Sequence, residues 1–207
     1  MTAIRATQFI VVGTALSLAS VACSASSGEA THPTRSASPQ ATTLNSLPQV
    51  DLTGKISDIA TPVLSQTDGH AIAQTRSGPD YLVAYTTGHA CGLLAIRPDN
   101  PQPVQINITA HWPKNASAEP DNLPGGPYLI ATATSATPGG FASLHCGTHS
   151  EVIEYSSRAA APKPETPSTL GPVSVVKPAT AREPLIVSIG SADTRRDVIT
   201  HYQSAQR

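Results

Sequence analysis

Two short patches concentrate the reactive side chains of this chain, His89-Ala90-Cys91 and His145-Cys146-Gly147-Thr148-His149. Imidazole nitrogen and thiolate sulfur in that mix suit zinc or copper, so His89, His145 and His149 are the candidate metal ligands. Three features oppose a metal site. The spacing matches no standard zinc finger. Alternation along a strand puts His89 and Cys91 on one face but His145 and Cys146 on opposite faces. The cysteines also have a stronger use in each other, because an amino-terminal export signal places the chain in an oxidising compartment. A Cys91–Cys146 disulfide closes a loop of about 55 residues and stabilises by roughly 4 kcal/mol on the chain-entropy model. That is a large share of an ordinary stability of about 5–15 kcal/mol. The disulfide is therefore the expectation, with no metal and no cofactor. Were imidazoles to bind one, Glu151 is the nearest carboxylate to the second patch and the natural group to orient a ring.

Other chemistry is thinly signalled. No G-x-S-x-G, H-E-x-x-H, phosphate-binding or dinucleotide glycine pattern occurs. Asp80, Asp99 and Asp121 stand beside proline or glycine and read as turn formers. No general acid and base can be paired, so catalysis is not expected. Trp112 ends an alternating run in phase with its apolar positions, which favours a core anchor over an exposed stacking platform.

The elements that must position these residues are strands. Val104, Ile106, Ile108, Ala110 and Trp112 alternate with Gln105, Asn107, Thr109 and His111, the pattern of a strand with one buried face. Tyr81, Val83 and Tyr85 alternate likewise, and a turn at Thr86-Thr87-Gly88 leads into Gly92 to Ile96. Tyr128 to Thr134 and Phe141 to Cys146 flank Pro138-Gly139-Gly140 as a hairpin. Glu151 to Tyr155 adds a strand, and His70 to Gln74 another. Aromatic residues make up 4% of the chain, so the core is built from Val, Ile, Leu and Ala. The fold class expected is mainly β, a small antiparallel sandwich or barrel-like domain with one disulfide, spanning residues 50–157 and flanked by disordered tethers.

Prolines number 19 in 207 residues, about twice the usual share of roughly 5%. Residues 158–184 hold six of them and read as a Pro-rich linker. Leu185, Val187 and Ile189 alternate again, so residues 185–207 return as a strand and a short helix. Ser191 or Asp193 would cap that helix, with Val198 and Tyr202 on one face.

At the amino terminus, Met1 to Gln8 carries one cation, Arg5, and Phe9 to Ala22 is apolar or small throughout. That is the layout of an export signal in residues 1–22, too short for a permanent spanning helix. Leu18-Ala19-Ser20-Val21-Ala22-Cys23 resembles the lipobox of bacterial lipoproteins, apart from Ser20 where those carry Leu. The resemblance implies a diacylglycerol on Cys23, with acylation as in palmitate-bearing lipoproteins, and a chain anchored at the extracytoplasmic face of the cell membrane. The alternative is plain secretion. Residues 23–49 are Ser, Thr, Ala and Pro with only Leu44 and Leu47 as sizeable apolar groups, and read as a disordered tether spanning roughly 30 Å.

A formal charge of −1 supplies no broad attraction to nucleic acid. The expected role is a non-catalytic binding or scaffolding module of the cell envelope, its partners the membrane through Cys23 and another envelope protein. A metal-binding envelope protein is the second class and a secreted hydrolase the third.

Overall fold

Strict alternation in 104–112 becomes a strand whose Ile106, Ile108 and Ala110 are buried while Asn107, Thr109 and His111 face outward. The computed structural model describes residues 42–114, 123–135, 140–157, 168–177, 180 and 183–205. Within them a first sheet is an antiparallel meander of β1 (His70–Ser77), β2 (Asp80–Thr86), β3 (Ala90–Ile96) and β4 (Val104–His111), in that order. A second sheet holds β5 (Leu129–Thr134), β6 (Gly140–Cys146), β7 (Ser150–Ser157), β8 (Val173–Val176) and β9 (Leu185–Gly190), ordered β5-β6-β7-β9-β8. Every pairing is antiparallel. The mainly-β sandwich with one disulfide is thus the architecture. The expected hairpin turn at 136–139 lies outside the described residues, but β5 and β6 on either side of it pair directly.

The inner faces meet in one core. Leu82, Ala84, Leu93 and Ala95 from the first sheet pack against Leu144, Ile153, Tyr155, Val187 and Ile189 from the second. Each fully buried aliphatic side chain of this kind stabilises by roughly 1.5–3 kcal/mol relative to exposure. Trp112 packs at the margin of this core, half-buried.

Both outer faces are covered by helices. α1 (Gly54–Gln66) lays Ile56, Ala60 and Leu64 on Val83, Tyr85, Leu94 and Ile96 of the first sheet. α2 (Ala192–Ala205) sets Val198 against Val152, Val176 and Ile186 of the second. Ser191 caps α2, its Oγ accepting from the Thr194 amide at 3.2 Å. Burial on both faces explains why β3 reads Ala-Cys-Gly-Leu-Leu-Ala-Ile with every position buried, and not as an alternating strand. Gly92 is required there. It stands opposite Tyr85, whose ring lies where a Cβ would sit. Gly92→Ala is expected to destabilise by about 3 kcal/mol through overpacking, read as a lower urea midpoint.

Three features depart from the sequence reading. α1 falls inside the stretch expected to be purely β. Residues 42–49, read as the end of a disordered tether, are held to the domain. Leu44 is fully buried in the inter-sheet core and its amide donates to the Thr148 carbonyl at 2.9 Å. The Asn45 side chain accepts from the Thr86 hydroxyl and donates to the Gly88 carbonyl. Finally, the stretch read as a Pro-rich linker contains β8. Just before β8, Leu170 exchanges two backbone hydrogen bonds with Gln74 on β1, at 2.8 and 3.0 Å. One segment therefore reaches an edge of each sheet, bridging β1 at Gln74 and forming the outermost strand of the second.

Candidate functional site

The disulfide is formed. Cys91 and Cys146 are bonded with their Cα atoms 5.6 Å apart, joining β3 to β6 across the core, and both are fully buried. Cys23 lies outside the described residues. The three histidines expected near the disulfide go to three different surroundings. His89 is exposed and stacks on His111, ring centroids 5.5 Å apart. His149 is exposed, with Nδ1 3.2 Å from the Thr42 carbonyl oxygen. His145 is buried on the face of β6 away from Cys146, as alternation requires. Among the described residues no group of three metal-capable side chains gathers.

His145 does gather other polar groups. Its Nε2 lies 3.2 Å from Ser143 Oγ and 3.8 Å from Glu154 Oε1, and Tyr202 on α2 donates to that same carboxylate oxygen at 2.6 Å. Serine, histidine and an acid are the residue types of a hydrolytic triad. The geometry is a different one, because serine and carboxylate approach the same ring nitrogen. A triad histidine receives the serine on one nitrogen and presents the other to the acid. Here the cluster fastens α2 to the second sheet.

Glu151 takes no part in orienting an imidazole. It lies beside Cys146 in register, on the core-facing side of β7 with Ile153 and Tyr155. It is fully buried and both carboxylate oxygens lack a hydrogen-bond partner. Burial pushes its carboxyl well above the usual carboxylate range.

At the opposite end of the sandwich a second buried acid is fully paired. Asp80 accepts from Arg97 Nε at 2.7 Å and Nη2 at 2.9 Å, and from the Tyr155 hydroxyl at 2.9 Å. The bond to Asp80 raises the Arg97 guanidinium further above its ordinary value. Burial, then the charge of Asp80, raises the Tyr155 phenol. A bidentate bond to a fully buried carboxylate fixes the guanidinium plane. Arg97 Nη1 takes part in neither bond.

That fixed guanidinium borders a cleft of about 750 Å³. Its floor is the outer face of β1 and β2, where Gln74, Arg76 and Tyr81 stand; the Arg76 guanidinium lies over the Tyr81 ring at 5.4 Å. One wall is the first turn of α1, with Thr53, Lys55 and Ile56. The other is the loop from Arg97 to Pro101 between β3 and β4. Ser168 closes the rim from the segment that crosses the sheet edges. Lys55 and Asp99 face each other from the two walls and pair at 3.1 Å, with both side chains largely exposed. Thr53, at the N-cap, makes no side-chain cap bond, and no acidic residue occupies the first turn of α1. No acid therefore offsets the positive end of the helix dipole from within that turn. Chemically the cleft offers hydrogen-bond donors and cations in a concave site, with Asp99 the one carboxylate among the described residues that line it.

None of these residues was singled out as a site from the sequence, because they come from four separated stretches with no local motif. What defines them is a two-sheet antiparallel sandwich bearing a helix on each outer face, with the cleft at the mouth of the first helix. No family model, no curated protein and no solved structure matches the chain.

Proposed function

We infer that this chain is a bacterial cell-envelope lipoprotein whose folded part is a non-catalytic binding module, with the cleft beside α1 as its binding site. The observation that carries the binding reading is the chemistry of that cleft. Lys55, Arg76, Gln74 and Arg97 supply donors and positive charge around a concavity of ligand size. The Ser143–His145–Glu154 cluster, the nearest approach to hydrolytic machinery, has its ring nitrogen shared and not relayed. The lipid-anchor reading rests on the apolar run that ends at Val21-Ala22-Cys23. An acylated cysteine would hold the domain at the membrane without a spanning helix, and two or more chains make that attachment stable.

Two measurements test this. Cys23→Ala in the producing cell is expected to move the protein from the membrane to the soluble or secreted fraction; unchanged partitioning removes the anchor. Photo-crosslinking from position 100 or 101, at the rim of the cleft, is expected to capture an envelope component in whole cells. Equal capture from a probe at position 201 on α2, remote from the cleft, would remove the cleft as the binding site.

A further inference from the structure

Resting on the lipid-anchor reading, we propose that the domain docks on the bilayer by one end, the end at which the chain enters it, with Leu129, Ile130 and Trp112 against the lipid surface. The entry point comes first. Thr42 is the first described residue, and its carbonyl oxygen lies 3.2 Å from Nδ1 of His149, in the turn between β6 and β7. The Leu44 amide donates to the Thr148 carbonyl in that same turn, and the Asn45 side chain donates to the Gly88 carbonyl in the turn between β2 and β3. Cys146 immediately precedes the one turn and Cys91 closely follows the other, so their disulfide sets both turns at one end of the sandwich. Residues 23–41 separate this point from Cys23, a reach of at most about 65 Å even when fully extended. Contact between this end and the bilayer is thereby intramolecular, and a weak surface is enough to sustain it.

The surface at that end suits lipid. Leu129 opens β5 opposite Cys146, and Ile130 follows it. Their exposures are 41% and 49%, and they are the only adjacent pair among the large apolar side chains exposed in the described residues. Half-buried Trp112 follows β4, its amide donating to the His89 carbonyl at 2.8 Å beside the β2–β3 turn. His89, His111 and His149 are exposed at the same end. Apolar side chains together with a tryptophan and imidazoles match the layering of a bilayer surface, where apolar bodies sink and polar tips stay at headgroup depth.

This seating has a consequence for the cleft. Arg97 and Asp99 follow β3 at its other end, so the cleft they border is turned away from the membrane and toward the outside.

The test uses the full chain with its native amino terminus, reconstituted into vesicles of phosphatidylethanolamine and phosphatidylglycerol with or without bromine on the acyl chains. Trp112 is the only tryptophan in the sequence, so its emission reports on this end alone. Brominated vesicles are expected to quench it. A Leu129→Ser Ile130→Ser variant is expected to recover the emission while still floating with the vesicles, and both positions are exposed, so the fold is kept. A Trp112→Phe Gln102→Trp variant moves the reporter to the loop between β3 and β4 at the far end and is expected to escape quenching. Urea midpoints near that of the parent establish that both variants are folded. Lipid on Cys23 is read separately, from the mass of the amino-terminal peptide. Lipid present with Trp112 unquenched would overturn the docking and leave the anchor standing, with this face free for a protein partner. Equal quenching from position 102, or quenching that survives the two serines, would overturn the docking as well. No lipid on Cys23 would remove the anchor, and the docking with it.

Discussion

Glu151→Gln should leave the protein about as stable as the parent near pH 5 and progressively more stable above it. The parent carboxyl is fully buried without a partner, and burial raises its folded-state pKa well above 4.5. In the unfolded chain it ionises in the ordinary range. Between those two limits the folded state binds a proton that the unfolded state has released. Stability therefore falls as pH rises, by about 1.4 kcal/mol per pH unit for this group. The decline begins near the unfolded value and stops only when pH passes the folded value. Glutamine keeps the shape and removes the proton exchange. Urea unfolding at pH 5, 6, 7 and 8 should give parent and variant curves that diverge above the unfolded value and run parallel again once pH exceeds the folded one. Curves parallel over the whole range would mean that the carboxylate finds compensation in the folded state, contrary to its unpartnered oxygens.

The Cys91→Ala Cys146→Ala double variant should lose about 4 kcal/mol, enough to bring a domain of this size near its unfolding threshold at 37 °C. The bond closes 55 residues of sequence between the two sheets, and that loop length sets the entropy returned to the unfolded chain. Thermal unfolding with and without reductant, on the parent and the double variant, checks it. Reductant should lower the melting temperature of the parent and leave the variant unchanged. A variant as stable as the parent would show that inter-sheet packing alone fixes the docking.

Much of this fold was legible because its strands follow simple rules. The alternation of 104–112 and 185–189, and the apolar run at 92–96, each became a strand where expected. The disulfide was legible from the cysteine pair together with the expectation of export. α1 was missed although its signal is present. Ile56, Ile59, Ala60, Val63 and Leu64 recur at the spacing of one helical face. Gly54 and Pro62 punctuate that run and favour reading it as loop, but packing on the first sheet outweighs their propensity. The strap at 42–49 was hidden because a single leucine anchors it, and composition averages over a single residue. Glu151 was placed near the right patch for the wrong reason. The phase of Ile153 and Tyr155 puts it on the core face, and that phase was readable. The cleft was not readable at all. Lys55, Gln74, Tyr81 and Arg97 become neighbours only through the register of β1 with β2 and the seating of α1, and no spacing in the chain encodes that.

The two sheets are each woven from one continuous stretch, residues 70–111 and 129–190, with every strand paired inside its own stretch. Each can close its ladder through loops far shorter than the one the cysteines span, so sheet formation does not wait for the other half. Cys91 belongs to the first stretch and Cys146 to the second. Their sulfurs meet where the two apolar faces come together. The disappearance of free thiol during oxidative refolding is thus a clock for docking, distinct from the circular-dichroism signal that times the sheets themselves.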